Sequence, residues 1–242
     1  MPMSVCVASL VRNEGSRWLP SLLPAWQTFA NEIVVLDDGS TDNTVELCKS
    51  FGCNVIQRSS APAWGAETHA RQELWQYAAA TGCDWLFFLD ADMVPANNPR
   101  LLFEAPNADC IAFRLYDLWA EDNRHLFYRE DRFWRAHEVP RVWAVKTPDG
   151  SFEPQWSTRG VHCGHLPYNL PGRKVLVAPY QQSILHYGYL RPADRNAKAR
   201  QYATVAEQLT AAEAEHAASI LDAAPALHRL GIPTEYEVSF GV

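Results

Sequence analysis

The sequence predicts an α/β fold in which helices flank a mostly parallel sheet. Two observations carry this prediction. Short apolar runs alternate with helical patterns over the first hundred residues, and these runs are apolar at successive positions rather than at every second one. Strands that are buried on both faces are typical of a parallel sheet covered by helices on each side.

The elements of the first half alternate regularly between strand and helix. The predicted strands are 4–10, 32–36, 53–57 and 84–89. The predicted helices are 18–29, 43–51 and 66–80. Apolar residues recur at helical spacing in the first helix, and Asp42 or Asn43 caps the second. Gly52 and Gly82 end the second and third helices.

The second half is rich in aromatic residues, and its predicted strands are short. They are 110–116, 141–146, 175–178 and 183–187, and they indicate a mixed arrangement. Aromatic side chains between polar ones suit a wall that recognises a sugar or another polar ring, and they suit a packed core equally well. Pro192 is expected to open one last long amphipathic helix. Its apolar face carries Tyr202, Val205, Leu209, Ala212, His216 and Ile220.

Composition excludes some functional classes. The chain has 242 residues, a formal net charge of -7 and a pI near 5.6. General nucleic-acid binding is not expected, because a phosphate backbone selects Lys and Arg. No apolar run approaches the roughly 18 residues of a spanning helix, and the first nine residues lack the features of a signal peptide. We expect a cytoplasmic protein with reduced cysteines, and leave peripheral membrane attachment and a homodimer open.

Polar residues follow three of the predicted strands at the point where each strand ends. These segments are 11–14, 37–42 and 90–92. Ligands of open α/β sheets bind beyond the carboxyl ends of the strands, so the three segments predict one cleft. Asp90 and Asp92 are separated by one residue and need not share a role. Mg²⁺ and Mn²⁺ prefer such oxygen ligands, although two aspartates opening a turn before Pro95 fit the same pattern.

Together, the segments Leu10–Glu14, Val34–Thr44 and Leu86–Asp92 resemble the family 2 glycosyltransferases of the GT-A fold. The resemblance is strongest over about residues 4–95 and looser beyond them. It implies a single GT-A domain over 1–242. Within it, 1–100 would bind the nucleotide sugar, 101–190 would bind the acceptor, and 191–242 would form a C-terminal helix and tail.

The resemblance also implies a donor site with a metal. The implied nucleotide-sugar contacts are Ser9, Leu10, Asn13, Asp37, Asp38, Arg71, Asp90 and Ala91. Asp38, with Asp37, would accept a hydrogen bond from the base. Arg71 would contact the nucleotide or its phosphates, or else be a solvated helix residue. Asp92 would bind Mn²⁺ or Mg²⁺ directly, and Asp90 would reach the ribose, the metal or a metal-bound water.

A further metal ligand in GT-A enzymes is often a downstream histidine. His186 ends a predicted strand and is the preferred candidate, with a core histidine bonded to the backbone as the alternative. The segment 161–165 carries His162, Cys163 and His165 at close spacing. A structural zinc site normally needs four ligands, and no second pair is present, so a loop near the donor sugar or acceptor is the better interpretation.

Transfer with inversion needs a base that takes the proton of the acceptor hydroxyl. Members of the family often use an aspartate from a Glu-Asp pair in the second half. Here that pair is Glu130-Asp131, flanked by arginines that would keep Asp131 ionised and lower its basicity. Asp131 is the first candidate, Glu130 the second and Glu153 the third. The alternative is a surface ion-pair cluster.

The predicted function is metal-dependent transfer of a sugar from a UDP- or GDP-type donor to a hydroxyl of a glycan, lipid or small molecule, with inversion. A nucleotidyltransferase is disfavoured, because no Gly-rich basic loop follows the first strand. A non-catalytic nucleotide-sugar-binding protein is disfavoured by the presence of Asp38, Asp90 and Asp92, but would become the better hypothesis if no base were present.

Overall fold

The computed structural model describes residues 2–59, 64–65, 67–105, 107–158, 163–170 and 174–234. The strands are β1 (Val5–Val11), β2 (Glu32–Asp37), β3 (Asn54–Gln57), β4 (Trp85–Phe88), β5 (Met93–Pro95), β6 (Cys110–Phe113), β7 (Leu115–Asp122), β8 (His125–Arg129), β9 (Arg141–Lys146), β10 (Val175–Val177), β11 (Ile184–His186) and β12 (Leu227–Arg229). The helices are α1 (Leu19–Gln27), α2 (Thr44–Ser50), α3 (Glu67–Ala79), α4 (Pro192–Ala203) and α5 (Ala211–Ser219). Within the ranges described, no helix has the length and apolarity that crossing a bilayer requires.

A seven-stranded sheet with the strand order β10-β6-β9-β4-β1-β2-β3 forms the centre of the fold. β1 pairs parallel to both β2 and β4, and β2 pairs parallel to β3. β9 runs antiparallel to both β4 and β6. The predicted architecture, a mostly parallel sheet with helices and a mixed second half, is confirmed.

Both faces of this sheet are covered, which explains why its strands are apolar at successive positions. Val5 and Val7 of β1 belong to the apolar cluster that includes Trp26 of α1, whereas Cys6 and Ala8 belong to the cluster that includes Trp75 of α3. Each fully buried large apolar side chain contributes roughly 1.5–3 kcal/mol to the stability of the fold. The two layers hold the carboxyl ends of β1, β2 and β4 at one edge.

A second, five-stranded sheet has the order β12-β8-β7-β11-β5. β11 runs antiparallel to β5 and parallel to β7, so that His186 lies opposite both Met93 and Asp117. The backbone N–H of Tyr187 also donates to the carbonyl of Asp92 at 2.8 Å. This small sheet therefore ties the chain after β4 to the end of β11, some ninety residues later in the sequence.

The prediction of one long C-terminal helix is wrong. The chain forms α4, a 3-10 turn at Ala206–Gln208 and then α5. Thr210 begins α5 with a capping box, in which its side chain accepts from the N–H of Glu213 and the Glu213 carboxylate accepts from the N–H of Thr210. These reciprocal bonds satisfy the free backbone donors of a new helix start, which favours a break before residue 210.

Candidate active site

A cleft with a volume of about 370 Å³ opens at the carboxyl ends of β1, β2 and β4. This size is within the usual range of ligand sites, roughly 300–1,000 Å³. Its lining is Leu10, Val11, Arg12, Asn13, Glu14, Arg17, Asp38, Trp64, Glu67, Arg71, Asp90, Ala91, Asp92, Lys198 and Gln201. The structure thus brings the three strand-end segments together and adds residues from α3 and α4.

The loops after β1 and β2 are locked to each other by polar side chains. Asn13 has a left-handed backbone with φ 54°. Its Oδ1 accepts from the N–H of Thr41 at 2.8 Å, and its own N–H donates to Oγ of Ser40 at 2.9 Å. Asp37 is buried and accepts from the N–H of Ser40 at 3.2 Å. These bonds give Asp37 a place in the turn rather than in the cleft.

The remaining predicted nucleotide contacts divide into two groups. Leu10, Asn13, Asp38 and Ala91 line the cleft, whereas Ser9 is buried and is not part of its lining. Asp38 is paired with the guanidinium of Arg58. This pairing holds the Asp38 carboxylate in a fixed position at the end of β2.

Asp90 lies between the side chains of Arg71 and His165. Its Oδ1 accepts from Nη2 of Arg71 at 3.1 Å, and its Oδ2 lies 3.0 Å from Nε2 of His165. Burial alone would raise the pKa of Asp90, but His165 and Arg71 outweigh burial and hold this pKa well below its usual range. The ring of His165 packs 4.5 Å from that of Trp143.

Arg71 is buried and retains unused donors. It also pairs with Glu67 at 3.7 Å, but its Nε and Nη1 have no hydrogen-bond partner among the described residues. A buried guanidinium with unsatisfied donors costs stability unless an anion or water accepts from it. Since Arg71 lines the cleft, this geometry suits a bound phosphate.

Asp92, which lines the cleft, forms a second polar centre with His186, which is buried behind it and is not part of the lining. Nε2 of His186 lies 3.3 Å from Oδ2 of Asp92, and Nδ1 of His186 lies 2.7 Å from Oδ1 of Asp117. Nζ of Lys198 lies 3.2 Å from Oδ2 of Asp92. Burial alone would raise the pKa of Asp92, but Lys198 and His186 hold it below its usual value. Burial alone would lower the pKa of Lys198, but the carboxylate of Asp92 helps to hold it above its usual value. Gly188 leaves this centre open, because a side chain there would collide with it.

Several lining residues were missed by sequence reasoning. Lys198 and Gln201 are one turn apart on α4, and the ring nitrogen of Trp64 donates to the carbonyl of Gln201 at 3.0 Å. Glu14 pairs with Arg17 at 2.6 Å, yet burial raises the pKa of Glu14 to about 8. The sequence did carry a signal for two of these residues, because Lys198 and Gln201 lie three positions apart on a helix that begins shortly after His186.

The two candidates for the catalytic base, Glu130 and Asp131, are not part of the cleft lining. Asp131 accepts from Nε of Arg129 at 2.6 Å and from the N–H of Phe133 at 2.8 Å. Glu130 accepts from the hydroxyl of Tyr128 at 3.1 Å. Arg129 is buried against the rings of two tryptophans, Trp119 and Trp134. The structure thus gives this pair a local structural role, contrary to the position expected for a base.

Two other expectations concern residues away from this pair. Glu153 is exposed and is not part of the cleft lining. His162 of the alternative zinc segment lies outside the described residues, Cys163 is buried, and His165 contacts Asp90. The contact of His165 brings this segment next to Asp90.

The sequence profile of Glycosyl transferase family 2 matches residues 6–166. Glucosyl-3-phosphoglycerate synthase of Mycobacterium tuberculosis is 34% identical over 86 residues, which are 35% of this chain and 26% of that enzyme. The chain thus matches about a quarter of the length of this curated relative.

Two solved structures are similar to the chain. A structure of S. aureus TarS superposes with a TM-score of 0.52 at 15% identity, over 90% of this chain and 42% of that one. A structure of the M. tuberculosis synthase in complex with Mn²⁺, UDP-glucose and phosphoglyceric acid has a TM-score of 0.35 at 22% identity, over 48% of this chain and 44% of that one. The superposition on TarS covers most of the chain and supports the fold described above.

Proposed function

The chain belongs to glycosyl transferase family 2, and from that premise we propose that it transfers a sugar from a nucleoside-diphosphate sugar to an acceptor hydroxyl with the help of a divalent metal. One observation carries the proposal. Asp92 and His186 form a centre suited to a cation, and Arg71 lines the same cleft with unused donors suited to an anion. A metal bound to a diphosphate presents both charges together.

The donor would lie along the carboxyl ends of β1, β2 and β4. Leu10 and Asn13 flank the nucleotide, and Asp38 accepts from the base. Arg71 donates Nε and Nη1 to the diphosphate, which gives partners to its unsatisfied groups. Asp90 is engaged by Arg71 and His165, so its role in the proposal is to orient these two side chains.

The side chains around Asp92 fit a divalent metal. Asp92 and His186 supply one oxygen and one nitrogen ligand, and a carboxylate partner on the far nitrogen of His186 is the usual support for a ligating imidazole. Two protein ligands leave room for phosphate oxygens and water, as is common for nucleotide-bound Mg²⁺. When bound, the metal stabilises the negative charge of the departing nucleoside diphosphate.

Inversion would require a base on the acceptor side of the cleft. Among the lining carboxylates, Asp38, Asp90 and Asp92 are engaged in ion pairs, and Glu14 pairs with Arg17. Among the described residues, the one ion pair of Glu67 is a long contact of 3.7 Å with Arg71. Glu67 is therefore the carboxylate proposed for this role in place of Asp131.

A thermal-shift screen of nucleotide sugars, with and without Mn²⁺, tests the donor site. It compares the wild type with Asp92→Asn and with Glu207→Gln, which removes an exposed carboxylate. A ligand at about 100 times its Kd adds about 2.7 kcal/mol to the folded state, or roughly 5–10 °C for a chain of this size. The screen starts with UDP-glucose and GDP-mannose.

A shift that requires Mn²⁺, persists in Glu207→Gln and disappears in Asp92→Asn would support the proposal. The anomeric configuration of the product, followed by proton NMR once an acceptor is found, then reports inversion or retention. Binding of a donor without transfer to any acceptor in a broad panel would favour a non-catalytic nucleotide-sugar-binding protein. No shift with any donor would refute the donor site.

A further inference from the structure

Three side chains converge beside Gly188. Nζ of Lys198 lies 3.0 Å from Nε2 of His186 and 3.2 Å from Oδ2 of Asp92. A Cβ built on Gly188 would lie 2.1, 2.5 and 2.7 Å from Asp92 Oδ2, Lys198 Nζ and His186 Nε2 respectively. The ammonium of Lys198 therefore contacts both atoms that are proposed as metal ligands.

Nε2 of a neutral His186 ring can bind one cation at a time, because it has a single lone pair. In the neutral tautomer whose Nδ1–H donates to the carboxylate of Asp117, 2.7 Å away, the ring has its single lone pair on Nε2. An ammonium group has donors and no acceptor, so Lys198 donates to that lone pair at 3.0 Å. A metal ligated by Nε2 would need the same lone pair.

The surroundings of Lys198 favour retention of its charge within the cleft. Its side chain is 19% exposed, and its ammonium lies 4.4 Å from the ring centre of Tyr189. Arg17, in the loop between β1 and α1, is a second cation that acts on Lys198 and is itself paired with Glu14 and Asp194. Separating the ammonium from Asp92 leaves a partly buried charge that needs another anion, and a diphosphate in the cleft would provide one.

We propose that Lys198 is a built-in cation at the Asp92–His186 centre, which leaves these two side chains when a divalent metal binds and then pairs with the diphosphate of the donor. This inference rests on the proposed donor site. It follows that the metal binds weakly to the free protein and much more tightly together with the nucleotide. The lysine thereby couples the two binding events, and coupling of this kind is reciprocal.

The test measures Mn²⁺ affinity directly, by the electron paramagnetic resonance signal of the free aqua ion, with and without UDP. Lys198→Met keeps the length of the side chain and removes the competing charge. Arg12→Gln is the matched control, since Arg12 is exposed and lines the same cleft, and no contact of Arg12 with Asp92 or His186 is found among the described residues. His186→Ala identifies the site at which Mn²⁺ binds.

Lys198→Met is expected to bind Mn²⁺ at least tenfold more tightly than the wild type without UDP. The factor by which UDP tightens Mn²⁺ binding should fall by a similar amount in this variant. Arg12→Gln should change the UDP-free affinity less than threefold, because it removes a charge without freeing a ligand. An equal gain in both variants would overturn the inference, since general charge would then explain it.

Other outcomes separate the inference from the function proposed above. If the wild type and Lys198→Met bind Mn²⁺ equally, and His186→Ala weakens both, the metal site stands and the role of Lys198 is refuted. If His186→Ala has no effect, both the metal site and the inference fail. A second measurement uses only folded wild-type protein. Saturating Mg²⁺ should speed acetylation of Lys198 relative to exposed Lys49, and an unchanged ratio would also refute the exchange.

Discussion

Replacement of Gly188 by alanine provides a sharp test of the centre around Asp92. The added Cβ would lie 2.1 Å from Oδ2 of Asp92, far inside van der Waals contact. Gly188 is not among the described residues with positive φ, so the effect comes from crowding and not from the backbone. Overpacking of this kind costs about 1–3 kcal/mol. A cost of about 2 kcal/mol corresponds to a drop in Tm of roughly 4–8 °C.

The same substitution should also disturb metal binding, because the Asp92 carboxylate must turn away from His186. A loss of about 1.4 kcal/mol in that interaction corresponds to tenfold weaker Mn²⁺ binding. Calorimetric unfolding and Mn²⁺ titration measure the two effects separately. Gly150→Ala is the control, since a Cβ at Gly150 meets no atom within 4 Å. Gly188→Ala with the Tm and Mn²⁺ affinity of Gly150→Ala would refute the geometry.

Three further predictions follow from the ion pairs. Arg71→Met should weaken UDP binding roughly 10- to 100-fold in isothermal titration, because each charged hydrogen bond contributes about 1.5–3 kcal/mol. Arg71→Lys should have an intermediate affinity. Equal affinity in the wild type and both variants would contradict the phosphate role of Arg71. Asp131→Asn should lower the free energy of unfolding by about 1–2 kcal/mol without lowering kcat. Glu67→Gln should lower kcat and leave the free energy of unfolding nearly unchanged. The reverse result would restore Asp131 as the base. The folded pKa of Asp90 is depressed, so its contribution to stability is present above its unfolded pKa of about 3.9 and is lost on further acidification. The difference in unfolding free energy between the wild type and Asp90→Asn should therefore shrink between about pH 5 and pH 3, and a constant difference would contradict this.

The meeting of the three strand-end segments in one cleft was predictable because it follows from local patterns. Continuous apolar strands identify a parallel sheet, and a parallel sheet brings the ends of β1, β2 and β4 to one edge. Asn13, Asp38 and Asp92 could thus be placed together without knowledge of any long-range contact. The exception is Asp37, whose carboxylate closes the turn to Ser40, a role that the sequence alone does not separate from ligand binding.

The position of His186 depends on contacts that no local pattern encodes. The nearness of His186 to Asp92 arises from the antiparallel pairing of β5 with β11, and β5 has only three residues. Neither Glu130 nor Asp131 lines the cleft, and Asp131 pairs with Arg129, which is buried against two tryptophan rings. The C-terminal helices were misjudged for a different reason, since the Thr210–Glu213 capping signal was present in the sequence and was overlooked.

A turn between Asp90 and Asp92 gives the two carboxylates different partners. Residues two apart on an extended strand would share a face, but Ala91 and Asp92 form a turn in which the N–H of Met93 donates to the carbonyl of Asp90 at 3.0 Å. Asp90 meets Arg71 and His165, whereas Asp92 meets His186 and Lys198. Both carboxylates are thus neutralised by different partners, and neither competes for the cation of the other. In the proposed function, the first partner set leaves donors on Arg71 for a phosphate, and the second presents ligands for a cation. On that proposal, the turn at Ala91 separates the side of the cleft that would bind the anion from the side that would bind the cation.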